Sequence, residues 1–166
     1  MIKKLFALTA LLISIVGCAQ NEETSFKTEA LENVMVNTEN QPITFSEILK
    51  KYEEKTIVID VWASWCSDCI KGMPKVKALQ EQYPDVVYLF ISMDKTYEAW
   101  KSGIEKYDVK GEHYLTSDGM KGVFGKSINL DWIPRYMVVD KTGKIALYKV
   151  IEADDEKLIK TLETLK

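Results

Sequence analysis

The sequence predicts an α/β fold in which one mixed central β-sheet is flanked by helices. Three observations carry that prediction. Two apolar, β-branched runs, TIVIDVWA (56–63) and VVYLFISMD (86–94), have the pattern of strands buried on both faces. Segments with helical apolar spacing follow each of them. A late pair of runs, RYMVVD (135–140) and KIALYKVI (144–151), is joined only by KTG, which suits an antiparallel hairpin turning on Gly143. Crossovers followed by a hairpin require a mixed sheet.

The elements follow in order. MIKK is a short basic start, and LFALTALLISIVG is an apolar run ending at Cys18. A bilayer-spanning helix needs about 20 apolar residues, so this run is short for an anchor. It reads as a secretory signal over residues 1–17, and SIVGC resembles a lipobox, with Cys18 as the lipidated residue. A plain signal peptide or an uncleaved anchor is the alternative. Residues 18–31 are polar and acidic without apolar period and read as a flexible tether. A single domain spans 32–166.

Within it, NVMVN (33–37) is a short strand and TENQP a turn. TFSEILKKYEE is a helix opened by a Thr44/Glu47 capping box. After the strand at 56–63, CIKGMPKVKALQEQY is helical, with Pro74 expected to kink it. TYEAWKSGIEKYD carries Tyr97, Trp100, Ile104 and Tyr107 on one stripe. EHYLT is a short strand, GMKGVFGKSI a glycine-broken helix, and DDEKLIKTLETL a closing helix with acids in its first turn.

Composition narrows function. Hydrophobic residues at 46% and charged residues at 28% suit a folded core. The net charge is −3 with no basic block, which argues against nucleic acid as a partner. With Cys18 assigned to lipid, Cys66 and Cys69 remain. As a structural staple the pair closes too small a loop to restrict the unfolded chain much. A zinc site needs four ligands, and His113 is the only further Cys or His. It reads instead as a surface or strand-end residue. A c-type haem needs histidine after the second cysteine, where Ile70 stands. No metal or cofactor is expected.

A redox pair has positive support. The cysteines sit where a buried strand turns into a helix, so Cys66 lies at the helix N-terminus, where free N–H groups and the dipole stabilise a thiolate. Cys69 lies one turn further in and is placed to resolve a mixed disulfide. Asp60 stands in an otherwise apolar strand. Burial raises its pKa, which suits passing protons to and from Cys69; a structural polar residue is the alternative.

VIDVWASWCSDCIKGMP resembles the active-site region of the thioredoxin superfamily in Trp62, Trp65, the Cys66–Cys69 pair, Pro74 and Asp60. WIPRYMVVDKTGKI resembles that family's later segment, which implies a cis peptide at Pro134. The resemblance covers roughly residues 32–166. It implies a thioredoxin-like fold, and the extra helix and strand between Asp94 and Trp132, with the leader, look like the exported, membrane-tethered reductases of the superfamily. Pro134, if cis, presents backbone opposite Cys66 to a substrate. Trp65 and Ile133 join it as substrate-binding residues; Trp62 reads as core, and Trp132 as groove or core. Four positions depart from the pattern: Ser67-Asp68 between the cysteines, Gly72 in place of a glutamate found in several cytochrome-maturation members, Phe90 in place of a lysine, and Ile151 near a usual glycine. A thiol-redox reading survives these departures; a cytochrome-maturation assignment does not follow from them.

The expectation is an extracytoplasmic thiol–disulfide oxidoreductase that reduces protein disulfides. It would be anchored to the cell envelope through lipid on Cys18 and face the periplasm or exterior. Its partners would be disulfide-bearing exported proteins and an upstream electron donor. A thiol peroxidase of related fold and a non-catalytic binding domain are the competing readings; the vicinal dithiol argues against the first.

Overall fold

The computed structural model describes residues 24–166, so the leader and Cys18 lie outside the described residues. The elements are α1 (Thr28–Leu31), β1 (Val34–Val36), β2 (Pro42–Thr44), α2 (Phe45–Lys51), β3 (Ile57–Trp62), α3 (Ser67–Gln82) and β4 (Val87–Ser92). They continue with α4 (Tyr97–Tyr107), β5 (Glu112–Leu115), α5 (Val123–Ser127), β6 (Arg135–Val139), β7 (Ile145–Val150) and α6 (Glu156–Thr164).

One seven-stranded sheet runs in the order β2-β1-β5-β4-β3-β6-β7. Strands β3, β4 and β5 are parallel, and the other pairings are antiparallel. The interior strand β3 is buried along its whole length, as its largely apolar run predicts. Successive parallel crossovers in one direction place α3 and α4 on the same face of the sheet. There the Tyr88 hydroxyl donates to the Leu79 carbonyl at 2.8 Å. On the opposite face Phe45 of α2 packs edge-on against Phe26 at 4.9 Å and against Phe124 of α5 at 5.1 Å.

Local chemistry sets the ends. The capping box forms: the Glu47 N–H donates to Thr44 Oγ1 at 3.3 Å, and the Thr44 N–H donates to Glu47 Oε2 at 2.8 Å. Gly143 takes φ 80° in the β6–β7 turn, which a side chain would strain. Helix α3 is one continuous helix through Pro74.

Three expectations need correction. Residues 24–31 of the expected tether are packed onto the domain. Ala30 is fully buried, α1 forms at 28–31, Phe26 docks on Phe45, and the Ile145 N–H donates to the Thr24 carbonyl at 3.0 Å. One aromatic anchor and one helical turn suffice in a stretch with no apolar period. Pro42 belongs to an edge strand rather than a turn, because β2 pairs only with β1 and proline there removes no ladder bond the sheet needs. His113 is buried on β5 rather than at the surface; its ring stacks on Phe90, with centroids 5.1 Å apart.

Candidate active site

The strand β3 ends at Trp62, and four residues later Cys66 forms the N-cap of α3. The loop between them is held by Asp94, a fully buried carboxylate beyond the end of β4. It accepts from the Ser64 N–H at 3.0 Å, the Ser64 hydroxyl at 2.7 Å and the Ser92 hydroxyl at 2.7 Å. Gly103 on α4 lets that loop approach, since a Cβ there would lie 2.5 Å from Ser64 Cβ. The loop preceding the first cysteine is thus fixed from two sides.

Cys66 and Cys69 form a disulfide. The Cys69 N–H points at Cys66 Sγ, 3.1 Å away. In the reduced protein that N–H, with the helix dipole, favours a thiolate at Cys66. Cys66 is 6% exposed and Cys69 only 1%, so an incoming disulfide meets Cys66 first. Asp68 stands in the first turn of α3, with Lys71 Nζ 3.5 Å from its carboxylate.

Opposite the cysteines, Ile133–Pro134 is a cis peptide, and the Ile133 carbonyl oxygen lies 3.6 Å from Cys66 Sγ. In the disulfide that sulfur has no proton to donate, so this is a contact. Between the two segments opens a cavity of about 380 Å³ lined by Trp65, Cys66, Asp68, Met120, Trp132 and Ile133. Trp65 is 61% and Trp132 55% exposed, large apolar surface that a folded core would normally cover. The structure thereby places Trp132 in the groove and Trp62 in the core. Cavities of about 460 and 550 Å³ open among Lys55, Lys141 and their neighbours at the far end of the sheet. Those carry no thiol. Among the described residues no group of three or more His, Cys, Asp or Glu side chains could hold a metal ion.

Asp60 lies in the middle of β3, paired in register with Phe90 of β4 on one side and Tyr136 of β6 on the other. Burial pushes its carboxyl up to about 8; the Tyr136 phenol pulls the other way, but less. No hydrogen bond of ordinary length and angle reaches either carboxylate oxygen. Its charge therefore changes close to neutral pH.

The thioredoxin-like family profile matches residues 53–145, more than half the chain. This chain belongs to the thioredoxin-like family. It is 26% identical over 129 residues to the thiol-disulfide oxidoreductase ResA of Bacillus cereus, covering 76% of this chain and 70% of that protein. It is 44% identical to the chloroplastic thioredoxin F1 of Arabidopsis thaliana, over 64 residues that make up 36% of each chain. Its fold superposes on a thiol-disulfide oxidoreductase from Bacteroides fragilis with TM-score 0.70 and 22% identity, covering 82% of this chain and 98% of the other. With its Cys-x-x-Cys pair, this thioredoxin-like protein is a thiol–disulfide oxidoreductase.

Two residues of the site escaped sequence reading. Asp94 ends an apolar strand much as Asp60 interrupts one, and the SMD sequence at 92–94 is the only signal for its clamp. Tyr136 reads as one more strand aromatic, and only the pairing of β3 with β6 brings it to Asp60.

Proposed function

We propose that the protein reduces disulfides of exported proteins from an anchored position in the cell envelope. The observation that carries the catalytic part is Cys66 Sγ at the N-cap of α3, receiving the Cys69 N–H and facing an open groove between two exposed tryptophans. Cys66 attacks the substrate disulfide and forms a mixed disulfide. Cys69 gives up its proton to Asp60 and attacks Cys66 Sγ. The Cys66–Cys69 bond forms, the bond to substrate breaks, and the electron pair leaves on the substrate sulfur. Trp65, Ile133 and Pro134 bind the segment around the substrate cysteine, and the groove suits apolar or aromatic neighbours there.

The reducing direction follows from charge. A strong oxidant of this chemistry owes its potential to a stabilised reduced form. Here Asp68 sets negative charge in the same turn as the thiolate, which raises the cost of the reduced, ionised state. The envelope location rests on the leader and on Cys18 as a lipid attachment point. Among the described residues no helix is long and apolar enough to cross a membrane.

Trapping tests the reading. Cys69→Ser, expressed in its host, is expected to accumulate adducts that vanish on reduction, and Cys66→Ser few. Equal trapping by both overturns the assignment of roles. No trapping by either, with folding intact, favours the binding-domain reading. Cys18→Ser is expected to leave the membrane fraction; retention there overturns the lipoprotein reading.

A further inference from the structure

Behind the cysteines a second, smaller cavity of about 240 Å³ opens between α3 and the end of β7. Gly72, Lys75, Pro134, Tyr136 and Glu152 line it. Tyr136 is only 1% exposed, yet its ring reaches this wall. A Cβ on Gly72 would sit 3.7 Å from the Tyr136 hydroxyl oxygen, so with glycine there no side chain covers the phenol on that side. The other end of Tyr136's environment is Asp60, its register partner on β3, on the same face of the sheet. On the far side of Asp60 stands Phe90, which offers no polar atom, and beyond it His113 turns its Nε2 to the Val109 carbonyl at 3.0 Å. Tyr136 is thus the polar side chain paired with the buried acid, and it touches both the acid's surroundings and a cavity open to solvent.

We propose that Tyr136 is a positioning residue for the resolution step: its phenol steadies the Asp60 carboxylate and links it to the cavity beside Gly72, through which the acid returns its proton to solvent. This rests on the proposed role of Asp60. The step balances. Cys69 loses its S–H proton to Asp60 as the new sulfur–sulfur bond forms. The Asp60 proton then passes to the Tyr136 oxygen while the phenol's own proton goes to water in the cavity, which restores both groups. The charged groups around the phenol suit this exit. Lys75 on α3 is held by Glu152 and by Asp154, the latter at 2.9 Å, and Lys71 lies beside Asp68. The ammonium groups accept no proton, so at that wall the proton passes to water, and the paired carboxylates favour the hydronium that forms. Burial first, then Asp60, and last the neighbouring acids Asp154 and Glu152, keep the phenol protonated and able to donate.

Tyr136→Phe keeps the ring and removes only the hydroxyl. In stopped-flow reduction of a model protein disulfide, the first attack by Cys66 is expected to be unchanged. Resolution is expected to slow about tenfold at neutral pH, at the low end of what proton transfer contributes. Its pH midpoint is expected to rise, because the carboxylate loses the group that favours it. The infrared band of the protonated Asp60 carboxyl, identified by its loss in Asp60→Asn, is expected to persist to higher pH in Tyr136→Phe. In an Asp60→Asn background, Tyr136→Phe is expected to add nothing. An unmoved infrared midpoint, or an equal slowing in both backgrounds, overturns the role of Tyr136 and leaves Asp60 standing. Resolution unaffected by Asp60→Asn alone overturns both.

Discussion

The two faces of the central sheet solve different problems with the same strands. One face, under α1, α2 and α5, is closed by apolar packing: Phe26, Phe45 and Phe124 meet edge to face, and Ile48 is fully buried beside them. The other face, under α3 and α4, carries a row in register across four strands: His113, Phe90, Asp60 and Tyr136. Three of those four are polar, and several of their atoms lack partners: both Asp60 oxygens and His113 Nδ1. A buried polar group without a partner costs free energy, so this row lowers the stability that the apolar packing supplies. The difference teaches where to look for chemistry. Alternation along β3 assigns Ile57, Ile59 and Val61 to the scaffold and Asp60 to the working face.

The largest effect is expected on the face that carries the thiols. Cys66→Ser removes the sulfur proposed to attack and is expected to lower disulfide reduction by at least about a thousandfold, since among the described residues no other thiol is as exposed. The reduced wild type and the variant should melt alike. A variant that keeps more than a tenth of the activity would move the nucleophile elsewhere.

Next comes the scaffold face. Phe45→Ala is expected to cost about 3–5 kcal/mol by opening a cavity between two aromatic neighbours. The reduction potential of the surviving folded protein should stay put, because nothing polar near the thiols changes. Equilibrium unfolding and a glutathione redox titration on one sample measure both. A potential that moves with stability would show that the two faces are coupled.

How far the sequence revealed this division depends on how local each signal is. The capping box, the hairpin turn at Gly143, the cysteines at a strand-to-helix junction and the acid in an apolar run are all read within a few residues. Each reappears in the structure. What was illegible is what depends on partners far along the chain. Tyr136 gains its meaning from a strand 76 positions earlier through the pairing with Asp60. His113 is buried because β5 inserts between β1 and β4. Phe26 and Ala30 close the apolar face from a stretch whose local composition is that of a tether. Asp94 holds the loop before Cys66 from 30 positions away.

A third break separates polarity from charge on the working face. Asp60→Asn keeps size and polarity and removes ionisation. Because burial holds the native carboxyl near 8, far above its unfolded value, the native state binds a proton that the unfolded chain has released between about pH 4 and 8. Wild-type stability from this group therefore falls as pH rises through that window. The variant is expected to be more stable than wild type by about 2 kcal/mol at pH 8, less than the full linkage because a buried amide also costs. The gain should reverse near pH 4, where only the cost of the buried amide remains. A gain that is the same at both pH values would mean that ionisation is not what burdens this face.

The smallest effect is the most specific. His113 is held neutral by burial, with its pKa down to about 4 from 6.5. The unfolded chain binds a proton there that the native state does not, so this group makes stability rise with pH between about 4 and 6.5. Over the same span Asp60 makes it fall, by about one proton in the opposite sense. The two slopes cancel, and wild-type stability from this row should be nearly flat from pH 4 to 6.5 and decline only above it. The exposed acids with lowered pKa values, such as Asp131 and Asp154, act mainly below about pH 4 and are screened by solvent. Removing either partner uncovers the other. In Asp60→Asn, stability should climb by about 2–3 kcal/mol from pH 4 to 6.5, the His113 contribution alone. In His113→Gln, which keeps a donor for the Val109 carbonyl, stability should fall steadily from pH 4 to 8. Urea unfolding at four or five pH values separates the three curves. If both variants stay as flat as wild type below pH 6.5, the row does not hold its two charges neutral, and the contrast between the faces reduces to one of packing.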